Sequence, residues 1–166
     1  MTQYDETKLL CDALLFEHGH ARRTQHILKV YALAKLIGEA QRLPAWEQRI
    51  VQAAAILHDI AIGPCKQKYG EATQDKQRRE APALVRRFLR AAGYPEKDQP
   101  RILYLVQSHH AYDRIDGMDF QVLVEADLIV GAYESASPSE TAAAACGLFR
   151  TATGKALLEQ IIGRTT

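Results

Sequence analysis

Several absences narrow the class of protein before any motif is considered. The chain has only three cysteines, Cys11, Cys65 and Cys146, and they form no C-x-x-C pair. Neither a disulfide framework nor a cysteine-based zinc site is therefore expected, and a reducing cytoplasm fits this usage. No run reaches the ~18 apolar residues of a membrane span, and the N-terminus lacks the apolar core of a secretory signal. We expect a cytoplasmic protein without a membrane partner.

The chain also has no large excess of positive or negative charge, because its formal net charge at pH 7 is +1. A protein that binds nucleic acid through its phosphates usually carries a clear positive excess, so no nucleic-acid partner is expected. The 166 residues and 47% hydrophobic content predict a single domain over 1–166 with a sizeable core. Oligomeric state is left open, and a homodimer is one of the options.

What the sequence does contain is a helical pattern along almost its whole length. Apolar residues recur at three- and four-residue steps, which predicts an all-α bundle of about six to seven helices. Glycine and proline predict a loop over 60–73, and Ser137, Pro138 and Glu140 predict a capped helix start. The Val- and Ile-rich segment 119–135 predicts a central helix; a strand is its alternative, but no partner strand is found.

Ionisable residues inside apolar segments are the informative ones, because burying them costs several kcal/mol unless they are paired or bind a metal. His26 begins an apolar stripe, and His58 and Asp59 end the run "AAAILHD". A histidine can satisfy a helix C-terminus, but a carboxylate is unfavourable there unless a cation lies nearby. Asp127 lies within "VLVEADLIVGAY", where an unpaired carboxylate would be strongly destabilising. For His26 alone, a core histidine hydrogen-bonded to a carbonyl remains the alternative.

Further polar residues extend this set. His109 and His110 end "ILYLVQSHH" in the same manner as His58 ends its own segment, and Glu80 precedes an apolar helix face. For Glu80 an ordinary surface acid is the alternative. Imidazoles and carboxylates without thiolates suit iron or manganese best, while magnesium, zinc, nickel or cobalt also fit. We therefore expect one or two divalent ions.

The order His26, His58-Asp59, Asp127 resembles the H…HD…D pattern of the HD-domain superfamily of metal-dependent phosphohydrolases. The local segments "RxxH" at 23–26, "AAxLHDI" at 54–60 and "EADLIV" at 125–130 are similar as well. The resemblance implies an HD-like domain with its metal-site core over 20–135 and C-terminal helices over 137–162. It also implies that these four residues bind the first metal, with His58 and Asp59 as the catalytic dyad.

Binuclear HD proteins have extra ligands between the HD dyad and the final aspartate, and here Glu80, His109 and His110 take those places. The sequence departs from that pattern at Glu80, where many members have histidine. It also lacks a GYP motif and the usual residues at Ala61 and Ile62, which argues against cyclic di-GMP cleavage. The resemblance allows a second ion, with Asp59 as the ligand shared between the two ions, but it does not require one.

The activity implied is hydrolysis of a small phosphoester, that is a nucleotide, phosphomonoester or diester, by a metal-activated water. Arg23 precedes His26 by about one turn, and Lys66 and Lys68 follow the dyad, so these cations are candidates for binding the substrate phosphate. Solvated loop lysines are the alternative for Lys66 and Lys68. Two other functions stay open: a di-iron oxygenase of the HD type and a nucleotide-binding sensor without catalysis.

Overall fold

The computed structural model describes residues 4–163, and all regular secondary structure in this part of the chain is helical, without a strand. No helix in it is long and apolar enough to span a bilayer. Its nine α-helices are α1 Glu6–Phe16, α2 Ala21–Ala40, α3 Ala45–Leu57, α4 Ile62–Tyr69, α5 Gln74–Ala91, α6 Gln99–Ser108, α7 Met118–Glu134, α8 Pro138–Ala145 and α9 Ala152–Ile162. Short 3-10 turns at Tyr112–Arg114 and Cys146–Leu148 flank α7 and α8. The all-α class predicted from the sequence is confirmed.

The number of helices exceeds the predicted six to seven, partly because the prediction of a loop over 60–73 is wrong. This segment contains α4, which begins at Ile62 and ends at Tyr69. Pro64 lies in its first turn, where a missing N–H leaves no helical hydrogen bond unmade. Gly70 follows with a φ of 76°, a left-handed conformation that glycine adopts easily and that ends the helix.

Two helices form the centre of the bundle. In α3, all eight residues from Ile50 to Leu57 are buried, and in α7 burial is continuous from Asp119 to Ala126. Helix α2 packs against both. The central position predicted for 119–135 is therefore confirmed, and its strand alternative is wrong. Because these three helices cross one another, polar residues at the end of α3 and on the facing sides of α2 and α7 meet in one place.

The C-terminal helices are attached to α7 through a buried carboxylate. Glu125 is fully buried and accepts hydrogen bonds from Gln121 Nε2 at 2.8 Å, Arg150 N at 2.6 Å and Thr151 N at 3.0 Å, as well as from the Thr151 hydroxyl. Gly154 in the first turn of α9 packs so closely that a Cβ there would lie 1.9 Å from Glu125 Oε2. Glycine is required at position 154 because the Glu125 carboxylate leaves no room for a Cβ, and not because of the backbone angles.

Helix α8 begins at Pro138, as predicted. The predicted cap is only partly correct, because the Ser137 side chain makes no capping hydrogen bond. Proline in the first turn is therefore the part of the signal that the structure bears out.

Candidate metal centre

Four helices bring the predicted ligands to one point. His26 lies in the second turn of α2, and Asp127 lies in the second half of α7. His58 and Asp59 follow directly after the last residue of α3, and His109 follows the last residue of α6. A helix end allows neighbouring side chains such as His58 and Asp59 to face one site, which an ideal helix would hold about 100° apart.

The donor atoms of four of these residues lie close together. His26 Nε2 is 3.1 Å from both His58 Nε2 and Asp127 Oδ1. Asp59 Oδ2 lies 3.4 Å from His58 Nε2 and 3.5 Å from His26 Nε2. Adjacent ligands about 2.1 Å from an octahedral ion are roughly 3.0 Å apart, so these separations match donors that share a single ion.

Two of the imidazoles are oriented by the helices they terminate. His58 Nδ1 donates to the Ala55 carbonyl at 2.7 Å, and His109 Nδ1 donates to the Val106 carbonyl at 2.8 Å. Each carbonyl belongs to the last turn of its helix and would otherwise lack a partner. Since Nδ1 carries the proton in both cases, the neutral ring presents its Nε2 lone pair to the centre, which is the form that binds a metal.

His26 is oriented by a carboxylate that the sequence analysis missed. Glu134, in the last turn of α7, accepts from His26 Nδ1 at 2.9 Å and also pairs with Lys29 at 2.6 Å. A carboxylate behind a histidine ligand fixes its tautomer and raises its basicity. The signal was available, because Glu134 lies seven residues after Asp127, two turns along the same face of α7.

His109 provides the test of whether these residues fit a metal. Its Nε2 is buried and has no hydrogen-bond partner in the described part of the chain. A buried polar atom without a partner is costly, and a metal ion would satisfy it. Asp59 Oδ1 lies 3.8 Å from this nitrogen. Asp59 thus directs one oxygen towards His26 and His58 and the other towards His109, as expected of a carboxylate that bridges two ions.

Two groups of potential ligands therefore share Asp59. The first combines it with His26 and His58, and the second with His109 and His110, and within each group the donor atoms lie within 4.8 Å of one another. The ring centroids of His109 and His110 are 4.0 Å apart. The predicted histidine pair at the end of α6 is thus brought to the same centre as the HD dyad.

The histidines differ in how strongly they hold a proton. Burial and the neighbouring His58 lower the pKa of His109 to about 4, so this ring is neutral at pH 7. Burial also acts to lower the pKa of His58, but the Asp59 carboxylate outweighs it and raises that pKa to about 9. The same imidazole holds the pKa of Asp59 far below its usual range, although burial opposes this. Without a metal, the centre therefore holds an imidazolium beside a carboxylate.

The structure does not bring Glu80 or Lys68 to the centre. Lys68 Nζ lies 2.7 Å from Glu80 Oε1, and the Tyr69 hydroxyl donates to the same oxygen at 2.6 Å. Both contacts exist because residues 62–69 form α4 and pack against α5, where a loop was expected. Glu80 thus belongs to an α4–α5 contact, and no role as a ligand or in substrate binding follows from these positions.

Arg23 and Lys66, in contrast, border the centre. They line a cavity of about 370 Å³ that also reaches His26 and Asp59, and we call it the basic cavity. Arg23 is held by an ion pair between its Nε and the buried Glu17. His20 caps α2 by accepting from the Arg23 N–H at 3.3 Å, and it lines the same cavity.

Fold and donor set together define the class: an all-helical protein with a candidate histidine–aspartate metal centre where four helices meet. The family model described as HD domain matches residues 23–145, most of the chain and all of the candidate ligands. The chain belongs to the HD-domain family, and at superfamily level to the metal-dependent phosphohydrolases. A search of curated proteins and a search of solved structures found no match.

Proposed function

We propose that this protein hydrolyses a small organic phosphoester with the help of one or two divalent metal ions. The observation that carries the proposal is the convergence of His26, His58, Asp59 and Asp127, with the unpartnered His109 Nε2 beside them. Membership of the HD-domain family supports the same reaction class. Iron or manganese suits this mixed nitrogen and oxygen donor set best.

The residues divide into ligands for a first ion and ligands for a second. The first ion would be held by His26, His58, Asp59 and Asp127, and the second by Asp59, His109 and His110. An ion held there supplies Lewis-acid activation of water and of a phosphoryl oxygen. Glu134 keeps His26 in the ligand tautomer.

The reaction consumes one water molecule per ester bond. The water oxygen forms the new bond to phosphorus, and the ester P–O bond breaks with its electron pair remaining on the ester oxygen. One proton of the water ends on that oxygen, giving an alcohol and a phosphate. Arg23 and Lys66 face this position from the basic cavity and bind the non-reacting phosphate oxygens, as guanidinium and ammonium groups do at other phosphate sites.

The test uses the purified full chain loaded with Mn²⁺ or Fe²⁺ and a panel of phosphomonoesters and diesters, with released phosphate as the readout for monoesters and released alcohol for diesters. We expect hydrolysis that a chelator abolishes and that added metal restores. Asp59→Asn should lose the activity and most of the bound metal. Asp12→Asn is the matched control, since Asp12 lies on α1 outside the candidate ligand groups and pairs with Lys8.

One result would contradict the proposal. Fully metallated protein that hydrolyses no ester of the panel would point to one of the other two functions. A paramagnetic signal from a mixed-valent iron pair would then favour an oxygenase, and tight nucleotide binding without turnover would favour a sensor.

A further inference from the structure

A second cavity opens on the other side of the metal centre. It has a volume of about 500 Å³, and it shares His26 and Asp59 with the basic cavity. The wall contributed by α7, α8 and the turn after α8 is mostly apolar, formed by Leu128, Gly131, Ala144, Ala145 and Leu148. We call it the apolar cavity. The metal centre therefore lies between two cavities of different character.

The two cavities differ in charge. Three cations line the basic cavity, Arg22, Arg23 and Lys66, and neither Arg22 nor Lys66 forms an ion pair within residues 4–163. Besides the shared metal-centre residue Asp59, its acids are Glu17 and Glu134, and each of these two is already paired with a cation. Among the residues described, no lysine or arginine lines the apolar cavity, and its carboxylates are the metal-centre residues Asp59 and Asp127. An anionic group is thus favoured on one side of the centre and an apolar group on the other.

Gly131 keeps the apolar cavity open. It lies one helical turn after Asp127 in α7, and a Cβ built on it meets no atom within 4 Å. Glycine is unfavourable inside a helix, so this position combines a poor helix former with empty space beside a candidate ligand. A larger side chain here would project into the cavity rather than into the protein core.

Two rings, those of Tyr112 and His110, also line the apolar cavity. Tyr112 is half-buried, and the His110 ring lies beside that of His109. Rings that line a cavity stack favourably on planar apolar groups.

We propose that the substrate is a phosphoester of a flat apolar group, such as an aryl ester. The apolar group lies in the apolar cavity. The phosphoryl group lies at the metal centre, with its non-reacting oxygens directed towards Arg22, Arg23 and Lys66. This assignment rests on the proposed function. It excludes small polar alcohols, such as those of sugar phosphates, as the preferred leaving group.

The first experiment compares 1-naphthylmethyl phosphate with methyl phosphate. Their alcohol leaving groups are of nearly equal acidity, so the ring is the difference between the two esters. With Mn²⁺-loaded full chain and released phosphate as the readout, kcat/KM should be at least tenfold higher for the naphthylmethyl ester. Gly131→Leu should reduce this ratio at least tenfold. Ala143→Leu is the matched control, because it adds the same side chain to an exposed position of α8 that does not line the cavity; its ratio should equal that of the wild type.

Ala144→Leu is the second variant in case Gly131→Leu does not fold, which metal content and helicity would reveal. It narrows the apolar cavity from α8 and should reduce the ratio in the same direction. A wild-type ratio near one, or a ratio that neither variant changes, overturns the assignment of the cavity.

A binding measurement separates this inference from the proposed function. Calorimetry with 1-naphthylphosphonate and methylphosphonate, which cannot be hydrolysed at an ester bond, requires no turnover. Tighter binding of the naphthyl compound, weakened by Gly131→Leu, supports the ligand class even if no ester is hydrolysed. Equal affinities overturn the inference, even if the protein is an active phosphohydrolase.

Discussion

Replacing Glu134 with alanine removes the acceptor of the His26 Nδ1 proton but leaves every candidate metal ligand in the sequence. The Glu134 side chain is 17% exposed, so its hydrogen bond at 2.9 Å is only weakly screened by water. A hydrogen bond to a charged group contributes about 1.5–3 kcal/mol. Loss of a carboxylate behind a histidine ligand typically costs 10–100-fold in metal affinity, or roughly 1.4–2.8 kcal/mol. The two figures agree, and we expect a loss in that range.

The assay is a competition titration of Mn²⁺ or Fe²⁺ against a chelator of known affinity, with wild type and variants side by side. Lys29→Ala is the control, because it removes the other partner of Glu134. That ion pair is 44% exposed on the lysine side and should contribute about 0–1 kcal/mol. Glu134→Gln, which keeps an acceptor oxygen, should lie between wild type and Glu134→Ala. A metal affinity for Glu134→Ala within twofold of wild type, or an equal loss in Lys29→Ala, would refute the reasoning.

The remaining predictions concern other parts of the centre and its support. His109→Ala should bind less metal than the wild type under the same loading conditions, losing the second equivalent where the wild type binds two, as measured by elemental analysis; unchanged stoichiometry would exclude His109 as a ligand. Gly154→Ala should lower the free energy of unfolding by about 1–3 kcal/mol in urea, because its Cβ would overlap Glu125 Oε2. The metal-free protein should lose stability as the pH rises towards 9, because the folded-state pKa of His58 is raised by Asp59 and this contribution is complete only below its unfolded value, about 6.5. Denaturation at pH 6 and pH 9 checks this, and His58→Gln should show a flatter profile.

The residues that could be predicted from the sequence are those whose chemistry conflicts with their local pattern. Asp59 at a helix end and Asp127 in an apolar run are unfavourable unless something compensates them, and such conflicts are visible without a structure. The same argument predicts His109, which lies directly after the last residue of α6, as His58 lies directly after the last residue of α3. The three- and four-residue periodicity also predicts α2, whose apolar residues share one face. Helix α7 is buried continuously from Asp119 to Ala126, and it was the absence of a partner strand that favoured a helix there.

What the sequence could not settle depends on contacts between elements. Residues 60–73 contain glycine and proline, which favour a loop, yet the segment includes α4, because Pro64 occupies the tolerant first turn. That helix places Lys68 and Tyr69 in contact with Glu80. The partners of Glu80 could therefore not be predicted without α4. Glu125 resembled any acid in an apolar helix, and only the approach of Thr151 reveals why its burial is tolerated.

The hydrogen bonds from His58 and His109 to the carbonyls of Ala55 and Val106 have a consequence for the kinetics of metal uptake. Because the imidazoles complete the ends of α3 and α6, their rotamers are selected when those helices form. The conformational entropy of these two side chains is thus lost during folding rather than on metal binding. Two donors are preorganised, and metal exchange should involve little rearrangement of the bundle, unlike in small zinc domains that fold around their ion.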